Sequence, residues 1–372
     1  MGDSYGYGII GCGWVASSHG WGVRALADDG VRLACVADKD EGRAHEIATR
    51  FGADRTVSDH AELLADDSIG AVSVCLPDHL HHDVVIAAAD AGKHILCEKP
   101  LSLTVDEADD MLEACDRNDV RLGFVMNHRY SPGNIVARRA IASGALGRPL
   151  ISSVLHSSGL SGDPNAASPW RGRRRLSAGG VLSTQAIHFL DLLLWLGGPA
   201  SAVQAWTDLL GSADQDHEDT VGVTLKMATG ALATLTATSA SPIMDDFTGT
   251  RIEMHGTGGY LILDGDELRV ADLADVPDLT PPSLPPTPAG SEEIVFGAGH
   301  VYEVMDFVRT VRRGDPAPVP GTDGRHLMAV IDAAYRSAAE GRAVDVDEPT
   351  TAYTVAPPAS SMLGSAIAGS AT

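Results

Sequence analysis

Basic residues are in short supply: 27 lysines and arginines face 50 aspartates and glutamates, for a formal net charge of −23. Such a surface repels polyanions, which argues against nucleic acid or an anionic membrane as a partner and favours a well-dispersed protein. Cysteine is scarce too. Cys12, Cys35, Cys75, Cys97 and Cys115 form an odd set in the first third of the chain, with no C-x-x-C pair. They read as small buried hydrophobes, and neither a disulfide nor a zinc site is implied. No apolar run approaches the roughly 18 residues that span a bilayer. The opening MGDSYGYGIIG lacks the basic region and long apolar core of a signal peptide. A cytoplasmic protein is expected. No internal repeat is present.

What is there points to two domains, because 372 residues exceed one ordinary core. Hydrophobic content of 44% with 21% charged residues suits a soluble globular chain. YGYGIIGCGWVASSHG runs from an apolar strand into Gly11-x-Gly13-x-x-Ala16 and then a helical pattern. Gly11 permits the tight turn, Gly13 lets the backbone approach a pyrophosphate, and Ala16 allows close packing of helix on strand. A second strand pattern, VRLACVAD, ends at Asp38, about 20 residues further on, where a carboxylate accepts from a ribose diol and repels a 2′-phosphate. Asp38 also fits a turn residue or helix cap, and the neighbouring Lys39 would pair with a 2′-phosphate. NAD is therefore the expected cofactor, with NADP the alternative. Trp14 and Val15 in the turn, and Pro77, His81, Glu98 and Lys99 further on, complete the candidate cofactor-binding set.

AVSVCLP, HILCEKP and RLGFVM follow as further apolar segments, and the pattern HHDVVIAAADAG predicts a helix between the first two. Strands alternating with helices specify a parallel sheet, whose ligands bind outside the carboxyl ends of the strands. Gly11, Asp38, Pro77 and Lys99 all fall at such ends. Pro100 disfavours helix at Lys99, so the strand finishes by holding out a lysine.

After about residue 126 the alternation stops. GGVLSTQAIHFLDLLLWLGGP predicts one helix, apolar over most of its surface. Strand patterns then follow at AVQAWTDL, TVGVTLKM, ALATLTATS, TRIEMHG, GYLILDG and ELRVAD, several joined by short glycine turns. A large, mostly antiparallel open sheet, packed on helices by one face, is the economical architecture. The proline-rich 274–291 reads as a surface loop, and helices are expected near 301–313 and 322–341. The fold class is thus α/β plus α+β: a Rossmann doubly wound parallel sheet at 1–126, a substrate-binding domain at 127–346, and a poorly ordered tail at 347–372.

GIIGCGWVA, the run from CLPDHLHHDVV to HILCEKPLS, VMNHRYSP, the Gly-Gly helix carrying His188-x-x-Asp191, and the closing HVYEVMDFVRTVRRGDPAPVPGTDGRHLMAVIDAA occur together. In combination they resemble the Gfo/Idh/MocA family of NAD(P)-dependent sugar and cyclitol oxidoreductases, over roughly residues 5–345. The resemblance implies that Lys99 points into the interdomain cleft beside the nicotinamide, often through a cis Lys-Pro peptide. It implies that His188 is the acid/base, and that these proteins often pair through their open sheets, as a dimer or tetramer. Many relatives carry an aspartate four residues before that histidine. Here Thr184 stands there, followed by Gln185, and a threonine takes no proton.

A lone histidine on an apolar helix is ordinarily a core residue, so the role of His188 rests on the resemblance. Tyr130 is the fallback proton carrier. Asn127, Arg129, Trp170 and Arg171, with Thr184, Gln185, Lys99 and His188, are candidate sugar contacts, although the first four read equally as scaffold. Asp191 reads as structural. His79, His81, His82 and His94 are scattered by their elements, so no metal is expected, while His79 and His81 are placed to border the cofactor. The leading function is hydride transfer between a nicotinamide cofactor and a ring hydroxyl or ketone of a sugar, sugar derivative or cyclitol. The alternative is a non-catalytic, dinucleotide-binding regulator on the same fold. A tightly held, recycled cofactor fits the sequence equally well.

Overall fold

The computed structural model describes residues 4–159, 170, 173, 176–211, 216–241, 250–273, 278–291, 294 and 297–346. Its first part alternates strand and helix: β1 (Tyr5–Ile10), α1 (Ala16–Arg24), β2 (Val31–Ala37), α2 (Glu41–Phe51), β3 (Arg55–Val57), α3 (His60–Leu64), β4 (Ile69–Val74), α4 (His81–Asp90), β5 (His94–Cys97), α5 (Val105–Arg117) and β6 (Leu122–Phe124). The strands are nearly all apolar because helices and helical turns cover both faces. They form a six-stranded parallel sheet in the order β3-β2-β1-β4-β5-β6. The order reverses between β1 and β4, which opens a crevice above their carboxyl ends. Asp40, at the N-cap of α2, accepts from the Gly42 and Arg43 N–H groups. That fills the capping role which was open to Asp38.

A second set follows: α6 (Pro132–Ala142), β7 (Pro149–Ser157), α7 (Val181–Thr184), α8 (Ile187–Gly197), β8 (Ala200–Asp208), β9 (Thr220–Met227), β10 (Leu232–Thr238), β11 (Thr250–Gly256), β12 (Gly259–Asp264), β13 (Glu267–Leu273), α9 (Gly299–Val311), α10 (Gly321–Glu340) and β14 (Val344–Asp345). Eight strands form one sheet in the order β13-β12-β11-β7-β10-β9-β8-β14. Every pairing is antiparallel except β10 with β7. Burial alternates along β9 and β10, so one face meets the helices and the other is open.

Two features differ from expectation. The predicted helix over 179–199 is broken: α7 stops at Thr184 and α8 starts at Ile187. The central strand β7 has no counterpart among the predicted strands. Within 278–291 there is neither strand nor α-helix, as the prolines require, yet the segment is pinned. Arg139 donates to the Asp278 and Thr280 carbonyls, and Tyr302 to that of Pro285. The expected tail at 347–372 lies outside the described residues.

The last helices return to the first sheet. α9 packs on α1, while α10 packs on α5 and β6 with one part and on β8 with another. Arg309 adds a forked ion pair to Asp29 across that junction. One contiguous buried apolar cluster therefore runs through both sheets. Among the described residues no helix is long and apolar enough to cross a membrane.

Candidate active site

The glycine turn sits at the crevice. Gly11 has φ +90, and a Cβ there would stand 2.4 Å from the Cys75 carbonyl oxygen, so β4 leaves room for glycine only. Above Gly13 nothing lies within 4 Å of where a Cβ would be, which is the open approach a pyrophosphate needs. The first turn of α1 carries no acidic side chain and no side-chain cap, leaving its partial positive charge for a ligand. Trp14 and Val15 flank the turn half-buried.

Asp38, just past β2, accepts from the Cys12 N–H at 2.7 Å and from the Asp40 N–H at 2.8 Å. Each carboxylate oxygen can accept twice, so the side chain fixes the glycine turn and keeps lone pairs for a diol. Arg43 is exposed and stands 3.5 Å from Asp40. These residues fit a dinucleotide. Pro77 is half-buried after β4. His81 is fully buried and sets its two ring nitrogens 2.8 Å from the Leu76 and Pro100 carbonyls. It braces two loops with both ring nitrogens.

Lys99 follows β5, and its peptide bond to Pro100 is cis. Its Nζ donates to the Thr184 carbonyl at 2.7 Å. Thr184 Oγ1 turns away and donates to the Gly180 carbonyl at 2.8 Å. Gln185 Oε1 accepts from Ser158 Oγ at 2.6 Å. The Glu218 carboxylate holds the start of α7, accepting from the Gly180 and Leu182 N–H groups and the Tyr335 hydroxyl. His188 is half-buried, with Nδ1 buried and unpartnered among the described residues. Burial, seconded by the Lys99 cation, holds its pKa well below the ordinary histidine value.

Behind Lys99 lies a cluster that sequence reasoning missed. Glu98 accepts from the Lys99 N–H at 3.1 Å and from His19 Nε2 at 3.0 Å, and His300 Nε2 stands 3.6 Å away. His19 Nδ1 meets Ser73 Oγ at 2.7 Å, which in turn meets Tyr7 OH at 2.7 Å. Burial alone would raise the Glu98 carboxyl; the two imidazoles outweigh it and hold it well below the carboxylate range. Glu98 thus faces inward, away from the solvent a cofactor displaces. The only sequence signal for the cluster was a histidine inside an otherwise small-residue helix start.

Other candidates divide sharply. Arg129 is 4% exposed and spent on two carboxylates: Nε and Nη2 reach Asp191 at 2.7 and 2.5 Å, and Nη1 reaches Asp323 at 2.7 Å. It is scaffold, which corrects its expectation as a sugar contact, and Asp191 is its structural partner. Tyr130 donates to Asp306 at 3.1 Å, and burial with that acid pushes its pKa well above 10. It cannot relay a proton to the cleft. Asn127 is buried with Oδ1 unpartnered among the described residues, an acceptor that a ligand donor would satisfy. Trp170 is half-buried in a turn, while Arg171 lies outside the described residues. His79 reaches across to the Leu176 carbonyl at 3.3 Å. Among the described residues no histidine, cysteine and acid cluster could hold a metal.

Comparison with known proteins decides the family. Residues 5–126 match the oxidoreductase family with NAD-binding Rossmann fold, and residues 135–262 match the GFO/IDH/MocA C-terminal domain. The chain belongs to the Gfo/Idh/MocA family. It is 31% identical to levoglucosan dehydrogenase of Pseudarthrobacter phenanthrenivorans, over 92% of this chain and 98% of that protein. It is 29% identical to myo-inositol 2-dehydrogenase of Thermotoga maritima, over 92% and 98% respectively. A solved levoglucosan dehydrogenase in complex with NADH superposes with a TM-score of 0.81 at 28% identity, covering 93% of this chain and all of that one. The parallel sheet is accordingly an NAD-binding domain, and the chain is an oxidoreductase by family.

Proposed function

We propose that this protein is an NAD-dependent dehydrogenase or reductase acting on a ring hydroxyl or ketone of a sugar, sugar derivative or cyclitol. Residues 1–126 would bind the dinucleotide and residues 127–346 the substrate. The observation that carries the reading is Lys99, tied by Nζ to the Thr184 carbonyl ahead of His188, at the same carboxyl edge of the parallel sheet as the open glycine turn and Asp38. The bound dinucleotide supplies the hydride acceptor or donor. Lys99, held by its bond to the Thr184 carbonyl, would stabilise with its positive charge the negative charge on the reacting oxygen. His188, neutral at neutral pH because its pKa is depressed, is in the state that accepts a hydroxyl proton. Asn127 offers its unpaired Oδ1 to a ligand donor. Asp38 favours NAD over NADP.

The test is reduced-nicotinamide absorbance with NAD and with NADP across a panel of sugars and inositols. One substrate should support turnover with NAD preferred. Lys99→Ala and His188→Ala should each lower turnover by about 10²–10³, with NAD affinity nearly unchanged. The wild-type acid limb should lie below the ordinary histidine value and disappear in His188→Ala. Dinucleotide binding without any turnover across the panel would shift the assignment to a regulator. Tighter binding of NADP would overturn the role of Asp38.

We also infer a cytoplasmic homo-oligomer joined through the open sheet. On that face Ile151, Leu155, Trp206 and Leu232 are 53–63% exposed. Register places Leu155, Thr236, Gly222 and Trp206 in one row across four strands, and Ile151 beside Leu232 in another. An apolar row of that span is what a second copy would cover.

A further inference from the structure

Thr184 leaves His188 without the carboxylate that relatives place one turn before it, and the His188 Nδ1 atom is buried and unpartnered among the described residues. A histidine that takes a proton at Nε2 must hold its other proton on Nδ1, and a buried N–H left unsatisfied is destabilising. The missing acceptor has to come from another element. The ring nearest at hand is His128, in the helical turn Asn127–Tyr130, whose centroid lies 4.8 Å from that of His188 at an interplanar angle of 44°. Two aromatic contacts limit the tilt of this group: His128 stands edge-on to Phe189 at 5.3 Å, and Phe189 lies 4.5 Å from His156.

His128 is itself oriented. It is 5% exposed, and its Nδ1 stands 3.3 Å from Asp266 Oδ1 in the turn between β12 and β13. Asn134 on α6 fixes both partners, donating to the His128 carbonyl at 2.9 Å and to Asp266 Oδ1 at 3.5 Å. An ionised carboxylate only accepts, so the proton between them sits on His128 Nδ1. In the neutral ring the lone pair then belongs to Nε2.

We propose that Asp266 and His128 form the positioning arm of His188, supplying from the β12–β13 turn the orientation and charge that Thr184 cannot. Asp266 accepts from His128 Nδ1–H; the His128 ring, in contact with that of His188, would accept from His188 Nδ1–H through Nε2 once a small rotation closes the bond that stands unmade in the free protein, and His188 Nε2 would then face the substrate. During alcohol oxidation the substrate O–H bond breaks and an N–H bond forms at His188 Nε2, while the hydride leaves to the dinucleotide. The resulting imidazolium is stabilised through His128 by the Asp266 carboxylate. The charged and titratable groups around the arm are Lys99 and Glu98 after β5, His300 on α9 and His156 on β7. Lys99 opposes the imidazolium and Asp266 favours it.

This inference rests on the acid/base role of His188 proposed above, and the experiment separates the two. Asp266→Asn, His128→Phe and the double variant are compared with wild type and with His188→Ala in the intact chain. The measurements are kcat, KM, the pH profile, NADH affinity and melting temperature. Asp266→Asn should lower kcat by about ten- to a hundredfold, as outer partners of functional histidines do. KM and NADH affinity should hold, and the acid limb should move to lower pH because the imidazolium loses support. His128→Phe should do the same, and the double variant should be no worse than His128→Phe alone, since the two act as one unit. A merely structural role would lower the melting temperature and leave the limb in place. An unchanged limb and kcat in Asp266→Asn, or additive losses in the double variant, would overturn the arm. Retained turnover in His188→Ala would instead overturn the base itself.

Discussion

Removing the Arg129 side chain should cost stability rather than substrate affinity. Its guanidinium satisfies two carboxylates at once, Asp191 and Asp323, and lies 5.6 Å from the centroid of the Trp195 ring. Both acid side chains are 1% exposed. Arg129→Ala would take from both buried acids the cation that bridges them. Breaking a buried pair by deleting one partner costs about 3–5 kcal/mol, and here two acids lose the same cation, so the upper half of that range applies. At roughly 2–4 °C per kcal/mol for a chain somewhat smaller than this one, the melting temperature should fall on the order of 10 °C. Calorimetry gives that number. KM for the identified substrate, measured well below the lowered melting point, should stay within about twofold, since Nε, Nη1 and Nη2 are all engaged by buried carboxylates. Arg129→Lys should rescue little, because an ammonium cannot reproduce the fork that grips Asp191. A variant with unchanged melting temperature and a KM raised tenfold or more would refute this reasoning and restore Arg129 as a substrate contact.

Two further outcomes follow from buried groups and from the open sheet. His326 Nε2 accepts from the Ala200 N–H at 3.3 Å, and burial pulls the pKa values of His326 and His156 down to about 4. The unfolded chain binds these protons below about 6.5 and the folded chain only near 4, so stability is full above 6.5 and falls as pH drops through that window. Each should cost on the order of 2 kcal/mol at pH 5, and His326→Gln should lose less urea resistance between pH 7 and pH 5 than wild type does. For the open sheet, sedimentation should show a dimer or tetramer that Leu155→Glu converts to monomer; a wild-type monomer would refute the interface.

Much of the fold was legible, because its first part obeys local rules. Apolar strands, glycine turns and intervening helices recur in order, and Gly11, Asp38 and Lys99 stand at strand ends as the alternation requires. What was missed is tertiary in origin. β7 carries Ile151 and Leu155 on the open face and His156 on the covered one, so no alternation of apolar and polar residues marks it. Nothing in the sequence around Arg129 reveals that Asp191 and Asp323, far apart along the chain, converge on it. His128 and Asp266 are equally distant in sequence, and only the packing of the β12–β13 turn on α6 unites them. His19 and His300 meet at Glu98 because α9 returns to α1, a contact that no local pattern announces.

The break between α7 and α8 shows how a departure from regular helix becomes part of the site. No glycine or proline interrupts Thr184-Gln185-Ala186, and the local pattern favours one continuous helix. In such a helix the Thr184 carbonyl would accept from the His188 N–H. Instead the His188 N–H turns to the Gln185 carbonyl at 3.4 Å, and the Thr184 carbonyl accepts from Lys99 Nζ at 2.7 Å. Two contacts stand at the break, the Lys99 ammonium and the Ser158 hydroxyl that holds the Gln185 side chain. A charged donor on a carbonyl contributes more than the neutral backbone N–H it replaces, so the break is stabilised by the lysine itself. Lys99 is thereby anchored by a backbone atom, which no side-chain substitution at position 184 removes. A threonine suffices there for holding the lysine, and only the orientation of His188 has to be supplied from elsewhere.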